Sequence, residues 1–190
     1  MKKWRMVFSL IILFSVSVSL AFAEDYQLQY FLGKVSSKHY DLSKKEGSEL
    51  LTRIEGVLEH ALQVHGRLVQ IIQGGETEIH YREGKFWMSK LEKDRDLIES
   101  AAQQLKLLRE RPTHLVASIE LYKSMKDLSS DYNICNNMPS FAACVGDLAP
   151  EMELWADPVF YKLHLLPLAK SKDIEPKAAP RKADSKGKRS

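Results

Sequence analysis

Between Ser43 and Gly74, apolar residues recur three and four positions apart, and this run most constrains what the chain can fold into. Leu51, Ile54, Leu58, Ala61, His65, Leu68 and Ile72 make one stripe. Leu50, Val57, Val64 and Ile71 widen it on one flank, Leu62 and Val69 on the other. A stripe that broad belongs to a helix packed against more than one neighbour. Its ends are marked. Ser43 and Glu46 have the spacing of a capping box, in which each side chain satisfies a backbone donor at the helix start. Gly74-Gly75 is a natural stop, because glycine accepts the left-handed conformation past a helix end. Gly47, Gly56 and Gly66 each cost the helix about 1 kcal/mol relative to alanine and would admit a second backbone at close range.

Two further helices follow by the same argument. After a polar connector at 74–85, with a strand-like piece at Ile79-His80-Tyr81, a helix is expected over Trp87–Arg111. Its stripe is Trp87, Leu91, Ile98, Ala101, Leu105 and Leu108, with Asp94 breaking the pattern once. Pro112 ends it and suits the first turn of the next helix. That third helix carries Leu115, Ile119, Tyr122, Met125, Leu128 and Tyr132, and Asn133–Asn137 reads as a turn by composition. The last third is shorter-stepped: Pro139 opens a helix with Phe141, Cys144, Val145 and Leu148, and Pro150 interrupts it. Asp157-Pro158 has the pattern of a cap followed by proline at the first helical position. Residues 24–42 read as a strap or short helix. The expected fold is all-α: an up-and-down bundle of about four helices over 43–169, the last one broken.

The N-terminus speaks to compartment. Lys2, Lys3 and Arg5 precede an uncharged run from Met6 to Ala23 that closes on Ala21-Phe22-Ala23, the three parts of a secretory signal peptide cleaved at Ala23-Glu24. The alternative is a retained anchor, since 6–23 reaches the lower limit for spanning a bilayer. Removing Lys2, Lys3 and Arg5 from 28 basic residues leaves 25, against 25 acidic ones. The balance is uneven along the chain: 170–190 is a basic tail without aromatic residues, expected to be disordered, and the body is acidic. An exported acidic body does not suit nucleic acid. The tail could make weak contact with anionic membrane or cell-wall surfaces. In an oxidising compartment the 2 cysteines, Cys135 and Cys144, are expected to form a disulfide stabilising the fold by about 2.5–3 kcal/mol.

Catalytic and cofactor motifs are missing. There is no Cys-x-x-Cys-His, no His-Glu-x-x-His, no Glu-x-x-His pair, no Gly-x-Ser-x-Gly elbow and no glycine-rich phosphate loop. No cofactor is expected. His65 falls in the apolar seam, where it is a hydrogen-bonded core histidine or, alternatively, a metal or haem ligand. His80 with Glu76 and Glu78 is a weak cation candidate. Phe86-Trp87-Met88 is a candidate interaction surface, since aromatic and methionine side chains dominate binding hot spots. Glu151, Glu153 and Asp157 around Trp155 offer a carboxylate reading for a hydrolase. Glu151 and Glu153, two apart, diverge on a helix. The sequence therefore points to a periplasmic or secreted, non-enzymatic binding module of the bacterial envelope. Its expected partner is an envelope protein or a small apolar ligand.

Overall fold

The structure, a computed structural model, describes residues 26–74 and 81–174. Residues 1–25, where a signal peptide is expected, the connector residues 75–80 with His80, and residues 175–190 of the expected tail lie outside the described residues. Within them every regular element is helical: α1 (residues 26–36), α2 (Lys44–Gln73), α3 (Tyr81–Glu110), α4 (Leu115–Asn136), α5 (Pro139–Val145), α6 (Leu148–Pro158), a π-helical turn (Val159–Leu165) and α7 (Leu166–Ile174). The all-α expectation holds, but the helix count exceeds about four.

α2, α3 and α4 run alternately up and down. Glu55 meets Arg109 and His65 meets Leu91 across α2 and α3, while Lys90 pairs with Asp131 across α3 and α4. α6 packs back along α4, with Lys126 bonded to Glu153 and Ser129 Oγ donating to Ala149 O at 2.9 Å, and also touches α2. The stripes read from sequence supply much of the core: Ile54, Ala61, Leu68, Leu91, Leu108, Met125, Leu128 and Tyr132 are buried, but in the first half of α4 Leu115, Ile119 and Tyr122 are only half-buried, and Ala117 and Leu121, outside the expected stripe, take the core positions. Burial of that kind contributes roughly 25 cal/mol per Å² of apolar surface, and it orders the bundle.

Several boundaries differ from expectation. The Ser43–Glu46 capping box is present, with hydrogen bonds of 3.1 and 3.0 Å. Gly74 caps α2 in the right-handed region, and among the described residues nothing from another element lies within 4 Å of a Cβ built at Gly47, Gly56 or Gly66, so no described backbone crowds those glycines. α3 begins at Tyr81 rather than Trp87. Pro112 stays outside α4, whose N-cap is His114, with Nδ1 accepting from Ala117 N at 3.0 Å. Asn133 to Asn136 are the last turn of α4 rather than a loop, because Cys135 extends its buried stripe.

The break between α5 and α6 falls at Gly146, whose φ of 54° a side chain would oppose, and Pro150 sits in the first turn of α6. Asp157 and Pro158 end α6 instead of starting a helix, and the chain continues as the π turn. The expected tail begins too early. Lys170 to Ile174 are helical, and Lys170 Nζ donates to both Asp41 carboxylate oxygens at 2.7 Å.

Cys135 and Cys144 are free thiols, which corrects the disulfide expectation. Their side chains leave in different directions. Cys135 is fully buried in the core between α3 and α4, while Cys144 Sγ lies 3.9 Å from Val64 O on α2.

Candidate functional site

A cavity opens at one end of the bundle, beside the segment joining α1 to α2. Its volume is about 680 Å³, within the size range of small-ligand sites. Four pieces of chain build it. The strap Tyr40–Ser43 forms one edge; Gly47, Ser48, Leu51 and Thr52 come from the first turns of α2. Arg109, Pro112 and Thr113 come from the α3–α4 junction, and Lys162, Leu163 and Pro167 from the π turn and α7.

Each piece is held by identifiable interactions. Tyr40 OH donates to Asp173 Oδ2 at 2.7 Å, and with Lys170–Asp41 this ties the strap to α7. Ser43 fixes the strap's far end by capping α2. Arg109 Nη2 donates to Glu55 Oε2 at 2.6 Å, which sets its guanidinium at the rim. The π turn brings Lys162 to the site. A π turn carries one more residue per bond than an α turn, so it rotates the side chains beyond it, and such turns recur at functional sites. Here Phe160 packs on Tyr122 with ring centroids 4.9 Å apart, and Lys162 Nζ lies 4.6 Å above the Tyr30 ring.

The electrostatics of the rim are uneven. Lys44, Arg109 and Lys162 line it against one acid, Asp41; Arg109 is paired with Glu55 and Asp41 with Lys170. Lys162 has no carboxylate within salt-bridge reach among the described residues. Burial holds its ammonium below the usual lysine range, which the Glu46 carboxylate opposes and Lys34 reinforces. Beneath the rim the walls are Leu51, Leu163, Pro112 and Pro167. No histidine, cysteine or second carboxylate lines the cavity among the described residues.

The residues singled out from sequence lie elsewhere. Trp87 is buried and meets Phe141 edge-on at 5.2 Å, Phe86 is 62% exposed, and Met88 is half-buried. Three consecutive helical residues point about 100° apart, so this cluster is split between core and surface. His65 is a core histidine whose Nε2 donates to Leu91 O at 2.9 Å. No group of three or more His, Cys, Asp or Glu side chains placed to hold a metal occurs among the described residues.

Glu151 faces His60 on α2 at 3.4 Å and Glu153 faces Lys126 on α4, with Trp155 half-buried against the core. The carboxylates diverge, as their spacing requires. His164, unremarkable in sequence, stacks on Phe160 and shares a 3.1 Å hydrogen bond with Ser118 Oγ. The cavity residues gave little signal beforehand, because they come from four separate stretches and only Ser43 carried a motif. No protein-family model, curated protein or solved structure matches the chain.

Proposed function

We propose that the chain is an exported, non-enzymatic binding module of the bacterial envelope. Its helices form an up-and-down bundle, and its basic tail extends from α7. The cavity under the Tyr40–Ser43 strap is its binding site, and the ligand is a small molecule with an apolar body and one acidic group. One observation carries this reading: a cavity of about 680 Å³ with leucine and proline walls and three cations at its rim. An apolar body would cover the exposed surface of Pro112 and Pro167 and release its water. An acidic head would meet Lys162, whose partial burial makes an anionic partner favourable.

Decanoate is a suitable probe, compared by calorimetry with decanol and with decyltrimethylammonium. The expected result is saturable 1:1 binding of decanoate, weaker by about tenfold or more for the neutral and cationic analogues. Gly47→Leu fills the cavity without meeting a protein atom within 4 Å of its Cβ and should abolish binding while the chain stays folded. Equal affinity for all three probes, or undiminished decanoate binding by Gly47→Leu, would remove the cavity from consideration.

A further inference from the structure

Asp94 lies at the centre of the α3–α4 interface with an exposure of 0%. Neither of its carboxylate oxygens meets a donor among the described residues; the side chain placed to share a hydrogen bond with it is the Asp131 carboxylate, which can accept only from a protonated Asp94. The nearest cation is Lys90 on the preceding turn of α3, its Nζ 3.9 Å from Asp94 Oδ1, and that ammonium is already ion-paired with Asp131 of α4. Lys90 is itself largely covered, with a side-chain exposure of 14%. Two carboxylates thus share one cation inside the bundle. If both were ionised, one negative charge would stand in the core without a donor. An ionised carboxylate in such a place is strongly disfavoured, and the usual escape is to keep a proton.

We infer that Asp94 is a proton-operated clasp: as a neutral acid it lets α3 close on α4, and on losing its proton it loosens that interface. The surroundings divide for and against the proton. α3 contributes Lys90 and Lys93, which favour ionisation but do not prevail over burial and the nearby Asp131 carboxylate; Asp94 is pushed up to about 7. α4 contributes Asp131, Tyr132 and Cys135. Burial raises the Tyr132 phenol and the Cys135 thiol, the latter to about 11, so both stay neutral around neutral pH. From α2 comes His65, bonded through Nε2 to Leu91 O.

The direction of the pH effect follows. An unfolded aspartate loses its proton near 3.8, the folded one near 7, so between those values the folded chain holds the extra proton. Stability therefore falls as pH rises through that window, and the loss is complete above it. The clasp is closed in acid and slack in mild alkali.

The test compares wild type and Asp94→Asn in urea from about pH 5 to about pH 8.5, alongside carbon NMR titration of the aspartate carboxyls and amide exchange. Relative to Asp94→Asn, the wild-type unfolding constant should rise by up to about tenfold per pH unit through the window. That difference cancels the histidines, which both chains share. One aspartate carboxyl should titrate near neutrality. Amides of 87–98 and 125–135 should exchange faster above neutral pH than intrinsic chemistry alone allows, in wild type only. If every aspartate titrates below about pH 5, the inference fails. It also fails if one titrates near neutrality while protection of those amides stays constant, since Asp94 would then be a buried acid without a clasp. Should Asp94→Asn not fold, the carboxyl titration and exchange of the unaltered chain still decide.

Discussion

His65 can sit among aliphatic side chains because its Nε2 proton finds the Leu91 carbonyl at 2.9 Å. A buried polar group with a partner is tolerated; one without a partner costs several kcal/mol. The same criterion sets Asp94 apart, and the heptad spacing of Trp87, Leu91, Asp94, Ile98 and Ala101 had already put that aspartate on the core face. What spacing alone does not supply is the missing donor, because that depends on how α4 places Asp131 and Tyr132. The cysteines teach a related lesson. Eight intervening residues measure separation along the chain, whereas the direction of each thiol follows from the stripe it joins, and Cys135 continues Leu128 and Tyr132 inward. Glycine chemistry gives the sharpest residue-scale prediction. Gly56 and Gly66 are exposed mid-helix, and a Cβ at either meets nothing within 4 Å. Gly56→Ala and Gly66→Ala should each stabilise the protein by about 0.5–1 kcal/mol in urea unfolding, because alanine has less backbone freedom to lose. A loss of stability would mean that those positions are covered.

At the scale of elements, the long helices were legible and the broken rod was not. Asp94 apart, the stripes of α2 and α3 run uninterrupted and their core positions follow from a single period, whereas the first half of α4 buries Leu121 rather than Ile119 or Tyr122. The rod from α5 to α7 is punctuated by Gly146, Pro150, Pro158 and Pro167, and each residue permits more than one outcome. Pro158 removes the donor that would bond to the carbonyl four residues earlier. A new helix and a π turn both absorb that loss. Packing of Phe160 on Tyr122 and of Tyr161 on Phe31 accompanies the π turn and brings Lys162 to the cavity. The turn at Gly146 is different in kind, since its φ of 54° and ψ of −130° suit glycine alone. Gly146→Ala should destabilise by about 1–3 kcal/mol, opposite in sign to the same substitution at Gly56. Chemical denaturation of the two variants side by side checks the contrast, and equal signs would show that the α5–α6 link relaxes freely.

Across the whole molecule, stability and the proposed binding draw on different parts. The buried residues of α2, α3, α4 and α6 form one continuous core, whereas the strap is held to α7 by exposed contacts of Tyr40, Asp41, Asp173 and Lys170. Exposed ion pairs contribute about 0–1 kcal/mol each, so loosening them leaves the core nearly intact. A core truncation such as Leu121→Ala, at a site with no exposure, should cost about 2–5 kcal/mol. These magnitudes predict a separation of effects. Tyr40→Phe combined with Lys170→Ala should weaken decanoate binding severalfold while moving the thermal midpoint by only a few degrees. Leu121→Ala should lower the midpoint by far more and, below its own melting range, bind decanoate as wild type does. Midpoints and affinities measured on the same preparations test the division. If affinity instead follows the midpoint across both variants, the strap is part of the cooperative core and the cavity has no independent edge to close.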